Sequence, residues 1–329
     1  MNKKINLFFA IVLLSICSLH AQPILHAYSG RLFSCKYHIA SDMLDGKYTS
    51  YYKNGVKKSE GEFKYGNKAG EWTVWDSTGK LRVKRIYSNP FEYRQVVPVV
   101  SSEGPIPLLD KPLYTLQRDS SGKWIYYNLA ERMVAYQQRN FKCFYTSSPQ
   151  VFFDCKTLFN ILYTNAKKKN ISLYLGKKGD EDDTYSVRLN LATSDSSLID
   201  STKFRLVGFR VKSDWIFDNS RFVSDERPLF LTPLVVYKTS PKDTTDLFSV
   251  YVPDVRKYLV QVKLTSPDLP SYLQNLDDVF VFGCFGVVKW NKSNIYDRAI
   301  YTYTMPSSAN KYLLNEVETE NDLWLHFNK

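Results

Sequence analysis

Histidine is scarce in this chain. Of four in 329 residues, only His26, His38 and His326 lie beyond the first 21 residues. None stands at metal-ligand spacing from another histidine or a cysteine, so a zinc site has little support. The patterns that usually carry chemistry are missing as well: no glycine-flanked serine of a nucleophile elbow, no phosphate-cradling loop and no dinucleotide fingerprint. Carboxylate neighbours such as Asp277 with Asp278, or Asp214 with Asp218, occur in any chain of this size and do not by themselves make a general acid and base. The run "GDEDD" at Gly179 to Asp183 lacks the spaced ligands of an EF-hand and reads as a solvated acidic loop. The expectation is a protein without catalytic set, metal or cofactor.

Long apolar runs are absent beyond the N-terminus, which reads "MNKKINLFFAIVLLSICSLHAQ". Lys3 and Lys4 precede an apolar stretch from Ile5 to Cys17 that is short for a membrane span, and Ala21 offers a small residue before Gln22. Residues 1–21 are therefore read as a secretory signal peptide. Lipidation at Cys17 is disfavoured by Ile16, where such sites want a small residue. Cleavage would remove two lysines and no acids, lowering the formal charge from +11 to +9. A basic exported protein suits anionic lipid, cell-wall glycan or an acidic partner, whereas export argues against nucleic acid. Cys35, Cys143, Cys155 and Cys284 would remain. In an oxidising compartment they permit two disulfides in any of three connectivities, and four buried thiols are equally compatible.

What the chain does have is an internal repeat. "DGKYTSYYKNG" from Asp45 and "AGEWTVWDSTG" from Ala69 align at one offset of 24 residues. Gly46 maps onto Gly70, Tyr48 onto Trp72, Tyr51 onto Trp75, Gly55 onto Gly79, and Phe63 onto Tyr87. Asparagine–glycine at Asn54 and Gly55 is a strong hairpin signal, and "YGNKAG" and "STGK" supply further turns. The pattern predicts four short strands: Lys47 to Tyr52, Lys57 to Lys64, Glu71 to Trp75 and Leu81 to Tyr87. One hairpin cannot bury its own aromatic face, so the pair must stack on each other or on the C-terminal domain. Residues 45–87 resemble the MORN-like repeats of the YwqK antitoxin-like group. That resemblance implies a structural β-extension or a contact surface for protein or lipid, and Lys57 and Lys58 are candidate contacts on it.

The remainder divides into an N-terminal segment 22–44, a proline-rich linker 88–124 and a domain 125–329. The stretch "SNPFEYRQVVPVVSSEGPIPLLDKP" reads as extended chain. Leu129, Met133, Tyr136 and Asn140 share a helical face. A second helix has Cys155, Leu158, Phe159, Leu162 and Ala166 at helical spacing, Asp154 as N-cap and Asn170 as terminator, with Lys167, Lys168 and Lys169 against the negative end of the dipole. Alternation predicts strands through Val207, Phe209 and Val211, through Phe248, Val250 and Val252, and through Val260, Val262 and Leu264. "VFVFGCFGVV", Val279 to Val288, reads as a buried strand bulged at Gly283. Leu313, Val317, Trp324 and Phe327 share the face of a terminal helix. The fold class is α+β: β-hairpin repeats, then a mixed α+β domain with a mainly antiparallel sheet and a C-terminal helix.

Three stretches carry a further resemblance: "RLVGFRVKSDWIFDNSRFVSDERPLFLTPLVVY" from Arg205, "YVPDVRKYLVQVKL" from Tyr251, and "LDDVFVFGCFGVVKWNKSNIYDRAI" from Leu276 running on to "ENDLWLHF". In this order and spacing they resemble the GldN/PorN family of the type IX secretion and gliding motility machinery. The resemblance implies a periplasmic structural subunit or accessory component of protein secretion at the outer membrane, self-associating in a large ring with an outer-membrane lipoprotein. A free-standing periplasmic or cell-surface module binding protein or glycan is the alternative. Tyr296, Asp297 and Arg298 form either a turn pinned by charge-assisted hydrogen bonds or a subunit contact. Trp215 and Trp324 are read as core residues or interface anchors.

Overall fold

The chain is seen in a computed structural model that describes residues 22–97, 118–126, 134–147, 152–174, 200–218, 223–265, 269–286, 289–292 and 310–327. The leader, the acidic run at 179–183 and the Tyr296, Asp297 and Arg298 cluster lie outside the described residues.

The first eight strands are β1 (Ile24–Ser29), β2 (Phe33–Ala40), β3 (Met43–Leu44), β4 (Gly46–Tyr52), β5 (Lys57–Lys64), β6 (Asn67–Trp75), β7 (Leu81–Asn89) and β8 (Glu92–Val97). They form one antiparallel sheet in the order β1-β2-β4-β5-β6-β7-β8, with β3 on β2. The four strands expected from the repeat are present as β4 to β7. The repeat is visible in three dimensions: Gly55 and Gly79 occupy equivalent turns at φ +82 and +87, where a side chain would be strained. Tyr52 Oη donates to the carbonyl of Trp75 at 2.8 Å, and Asn54 Nδ2 to that of Ser77 at 2.9 Å. Each turn of one hairpin is thus tied to the next. The sheet runs past the repeat at both ends. Residues of 22–44 supply β1 to β3, and β8 falls where extended linker was expected, because Glu92–Val97 returns along β7 through a turn closed by Asn89.

The second sheet contains β9 (Val134–Tyr145), β10 (Leu173–Tyr174), β11 (Phe204–Asp218), β12 (Val223–Tyr237), β13 (Thr244–Asp246), β14 (Ser249–Tyr251) and β15 (Lys289–Lys292). Its order is β10-β14-β12-β11-β9-β15, antiparallel throughout, with β13 on β12. Helices α1 (Cys155–Lys167), α2 (Val252–Leu259) and α3 (Leu276–Val281) enclose one core with it, and α4 (Asn310–Phe327) closes the chain. The α+β class with antiparallel sheets and a terminal helix is as expected. In α1, Asp154 caps the N-terminus by accepting from Thr157 N at 3.0 Å. Leu314, Val317 and Trp324 of α4 are buried, whereas the side chains of Leu313 and Phe327 lie outside the described residues.

Three expectations need correction. The face drawn through Leu129, Met133, Tyr136 and Asn140 is not a helix where it is described, since Val134–Tyr145 is strand β9. Val260, Val262 and Leu264 do not continue a strand, because Pro253 opens α2 and these residues come after its end. "VFVFGC" is not a bulged strand. Asn275 and Asp278 form a reciprocal capping box at the start of α3, and Gly283, at φ +62, closes it. Cys284 N bonds Val279 O at 2.8 Å and Gly283 N bonds Phe280 O at 3.2 Å, the paired bonds of a Schellman cap.

Cross-strand pairing puts Phe144 beside Phe209, Lys142 beside Val211, Asn140 beside Ser213 and Gln138 beside Trp215 on one face of the second sheet. One end of that face packs on α1 to α3. The other meets α4 and the first sheet, where Trp215 and Phe217 share a cluster with Tyr48, Trp72, Tyr87 and Trp324. Close approach inside this cluster requires Gly61, where an added Cβ would stand 2.3 Å from the Trp72 ring. Gly61→Ala is therefore expected to lose about 1–3 kcal/mol in urea unfolding; an unchanged midpoint would show that Trp72 can move aside.

Candidate functional site: the junction of the sheets and the terminal helix

Alternation along β4 to β7 sends one set of side chains to the face that α4 covers. Tyr48, Trp72, Val74 and Val83 are fully buried there, and so, less ordinarily, is Arg85. Trp324 of α4 enters this face and is itself fully buried. Its ring meets two cations: Lys68 Nζ lies 4.0 Å from the ring centre and the Arg85 guanidinium carbon 4.1 Å. Lys68 also lies 5.0 Å from the Trp72 ring, Arg85 lies 4.3 Å from Tyr93, and Trp72 stacks on Tyr48 at 5.8 Å. Cations and aromatic rings thus alternate from Tyr93 through Trp324 to Trp72, and Tyr48 stacks on the end. Each cation–ring contact contributes from about 0.5 to 2 kcal/mol when shielded from water.

Acidic residues of α4 complete the junction. Glu320 pairs with Lys68 at 3.0 Å and accepts from Ser224 Oγ at 2.9 Å, touching both sheets. Glu318 pairs with Lys58 at 2.9 Å and accepts from the Tyr48 hydroxyl at 2.7 Å. Asp322 is a second partner of Lys58 at 2.8 Å. Glu316 turns to the second sheet and accepts from Asn140 Nδ2 at 3.0 Å. Burial pulls the Lys68 ammonium below the ordinary lysine value, and Glu320 offsets this only in part. Burial pulls Lys58 down too, but Glu318 and Asp322 together outweigh it and hold Lys58 above its ordinary value.

The proposed contact residues separate on this geometry. Lys58 is 5% exposed and Trp324 is buried, and both are used internally. Trp215 is buried against Tyr136, edge to face at 5.6 Å. Lys57, one residue from Lys58, points the other way: it is 41% exposed and pairs with Glu60. Sequence reasoning placed Lys68 on a charged contact face, whereas it is buried, and it missed Arg85, Glu316, Glu318 and Glu320. A lysine and an arginine at inward strand positions facing an acidic terminal helix were the available signal.

Beside the stack a cleft of about 170 Å³ opens between the sheets and α4. Its walls include Met43, Phe63, Tyr87 and Phe91 from the N-terminal part, Lys142, Trp215 and Glu226 from the second sheet, Phe282 and Phe285 after α3, and Glu316 and Glu320 from α4.

Three of the candidate carboxylates elsewhere are tied down. Asp278 is gripped by both Nη atoms of Arg118 at 2.8 Å, and Asp277 by Arg256 at 2.8 and 2.9 Å. Both carboxylates are fully buried, so neither faces solvent as an acid or base. Asp214 is paired with Arg139. Cys35, Cys143, Cys155 and Cys284 are buried free thiols, which resolves the disulfide alternatives for these residues. Burial pushes Cys35 up to about 12 and Cys155 up to about 11. Among the described residues no group of three or more His, Cys, Asp or Glu could hold a metal ion, and no helix is long and apolar enough to cross a membrane.

These features define a two-sheet α+β protein whose terminal helix clamps an N-terminal repeat sheet onto the main domain. The family model described as gliding motility associated protein GldN matches residues 125–325. The chain belongs to that family and is a component of the gliding motility and type IX secretion machinery. No curated protein matches it. The matched span includes α4 but excludes the sheet that α4 clamps.

The neighbouring lysines give a direct test of the clamp. Lys58→Met strands the Glu318 carboxylate, whose side chain is 3% exposed, and is expected to cost about 3–5 kcal/mol in urea unfolding. Adding Glu318→Gln should recover part of this, while Lys57→Met should stay within about 0.5 kcal/mol. Because the folded value of Lys58 is raised, its contribution is fully present below the unfolded lysine value of about 10.4 and is lost as pH rises through the folded one. The difference between wild type and Lys58→Met should therefore shrink above about pH 10.4. A constant difference across that range would remove the ion pair as its cause.

Proposed function

We propose that this protein is a non-enzymatic, periplasmic structural subunit or accessory component of the type IX secretion and gliding motility machinery. In this reading it assembles with an outer-membrane lipoprotein and with further copies of itself in a large ring. The family match over residues 125–325 is the observation that carries the reading. The site supports it: carboxylates that resembled an acid–base pair are held by arginines, and burial keeps Cys35 and Cys155 protonated near neutrality. A ring subunit needs two heterologous faces and no active site. The N-terminal sheet, clamped on one face, presents the other to solvent through Lys36, Lys47, Glu60, Glu62 and Glu71. We read that face as the repeat module's contribution to subunit, cell-wall or anionic lipid contacts. The cleft favours the second reading, a periplasmic or cell-surface binding module.

Gentle detergent solubilisation of the envelope with the tagged full chain, followed by size analysis and identification of co-purifying proteins, separates the two. Recovery in a very large particle with an outer-membrane lipoprotein is expected. Recovery as a small soluble species would overturn the ring reading in favour of the binding module. The same preparation tests export, since the intact mass should correspond to a chain starting at Gln22.

A further inference from the structure

The three most exposed large apolar side chains among the described residues belong to one hairpin at the margin of the first sheet: Leu32 at 79%, Ile24 at 65% and Leu25 at 60%. The hairpin is β1 and β2, and β1 ends the sheet, with no strand on its far side among the described residues. Its backbone polarity follows from the turn. Gly30 N donates to Phe33 O at 2.9 Å, and bonded pairs alternate along an antiparallel ladder. Tyr28 with Cys35, His26 with Tyr37 and Ile24 with Ile39 are therefore the pairs that exchange bonds. Leu25, Ala27 and Ser29 point their N–H and C=O groups away from the sheet, and all three residues are exposed.

Such an edge is ordinarily guarded by charge or proline. The opposite edge follows that rule, since β8 carries Glu92 and Arg94. Strand β1, with the sequence ILHAYS, has neither guard. Its pattern also complements itself. Ile24 and Leu25 are exposed at one end of the edge and Leu32 in the turn beyond the other, so an antiparallel copy lays one apolar end on the other. A two-fold axis at Ala27 matches the outward groups. Leu25 then faces the partner's Ser29 and Ala27 the partner's Ala27, with about six hydrogen bonds between them. Ile24 stands opposite the partner's Gly30 and diagonal to the partner's Leu32. Lys36, the cation beside Ala27 in each copy, stays about 14 Å from its counterpart, beyond the screening length of physiological salt.

We propose that two copies of this chain pair through β1, antiparallel about a two-fold axis at Ala27, into one continuous sheet. The contact is isologous and closes a dimer, so it is separate from ring assembly and is tested on purified protein. A main-chain contact between such short strands falls in the small class of interface, and half of the chain is expected as dimer at a concentration between about 1 and 100 µM.

Sedimentation equilibrium of the full mature chain, tagged at its C-terminus, measures this. Ala27→Pro removes an N–H that the β1–β2 ladder does not use, and should raise the dissociation constant at least about tenfold. Circular dichroism identifies a variant that fails to fold. Ala27→Lys, at an exposed position, then serves in its place: it sets two ammonium groups face to face, and its loss should lessen as salt is raised. Register is read with a short bifunctional thiol reagent, the wild type with its buried cysteines being the blank. Ala27→Cys should join to itself. Leu25→Cys, about 14 Å from its own counterpart, should join only when mixed with Ser29→Cys. Monomer at all concentrations up to about 300 µM would overturn the proposal and leave the edge to a different protein's strand. A dimer that Ala27→Pro and Ala27→Lys leave intact would overturn it as well. So would species growing past the dimer, by showing β1 on some other edge of the next copy.

Discussion

Trp324 sits between the ammonium of Lys68 and the guanidinium of Arg85, and the N-terminal sheet depends on that contact for its buried face. Strands β4 to β7 expose one aromatic face on which Tyr48, Trp72 and Val83 would otherwise meet water. A two-repeat array has no neighbours to stack on, unlike a long one. The terminal helix takes the place of the missing repeats. It does so with charge as well as apolar area, because Glu318 and Glu320 neutralise the two lysines that the strands turn inward.

The same device recurs at α3, where Arg118 and Arg256 hold Asp278 and Asp277 at the start of a short helix and Arg118 lies 4.1 Å from the Trp124 ring. Buried ion pairs are weak evidence for stability in themselves, but removing one partner is costly, so they fix which surfaces meet. They also change how the composition should be read. Several of the chain's basic residues face inward and are matched there by carboxylates, so these pairs cancel and contribute nothing to the net charge.

Legibility went with locality. The repeat was readable because turns at Gly55 and Gly79 and aromatic residues two strands apart are set by local chemistry. The helix α1 was readable because Asp154 and an apolar stripe mark it plainly. Strand β9 was not, since Asn140 and Lys142 occupy buried positions where alternation expects apolar residues, their polar ends being met by Glu316 and Glu226 from elsewhere in the chain. Helix α3 was lost because a continuous apolar run has no period to distinguish strand from helix. The capping box at Asn275 and the closing glycine at Gly283 were visible signals that such a run concealed. The junction itself was illegible for a plainer reason: Lys58 meets Glu318 across 260 residues of chain, and no local pattern encodes that.

That separation in sequence has a consequence in time. A ribosome making about 5–20 residues each second delivers the strands of the N-terminal sheet roughly ten to fifty seconds before Trp324 appears, and export would carry them across the membrane in the same order. Throughout that interval the aromatic face has no helix to cover it, and Lys68 and Arg85 lack the indole of Trp324. The sheet is therefore made first and finished last, and its exposed face is open to a chaperone, or to another nascent chain, for as long as the intervening domain takes to be built.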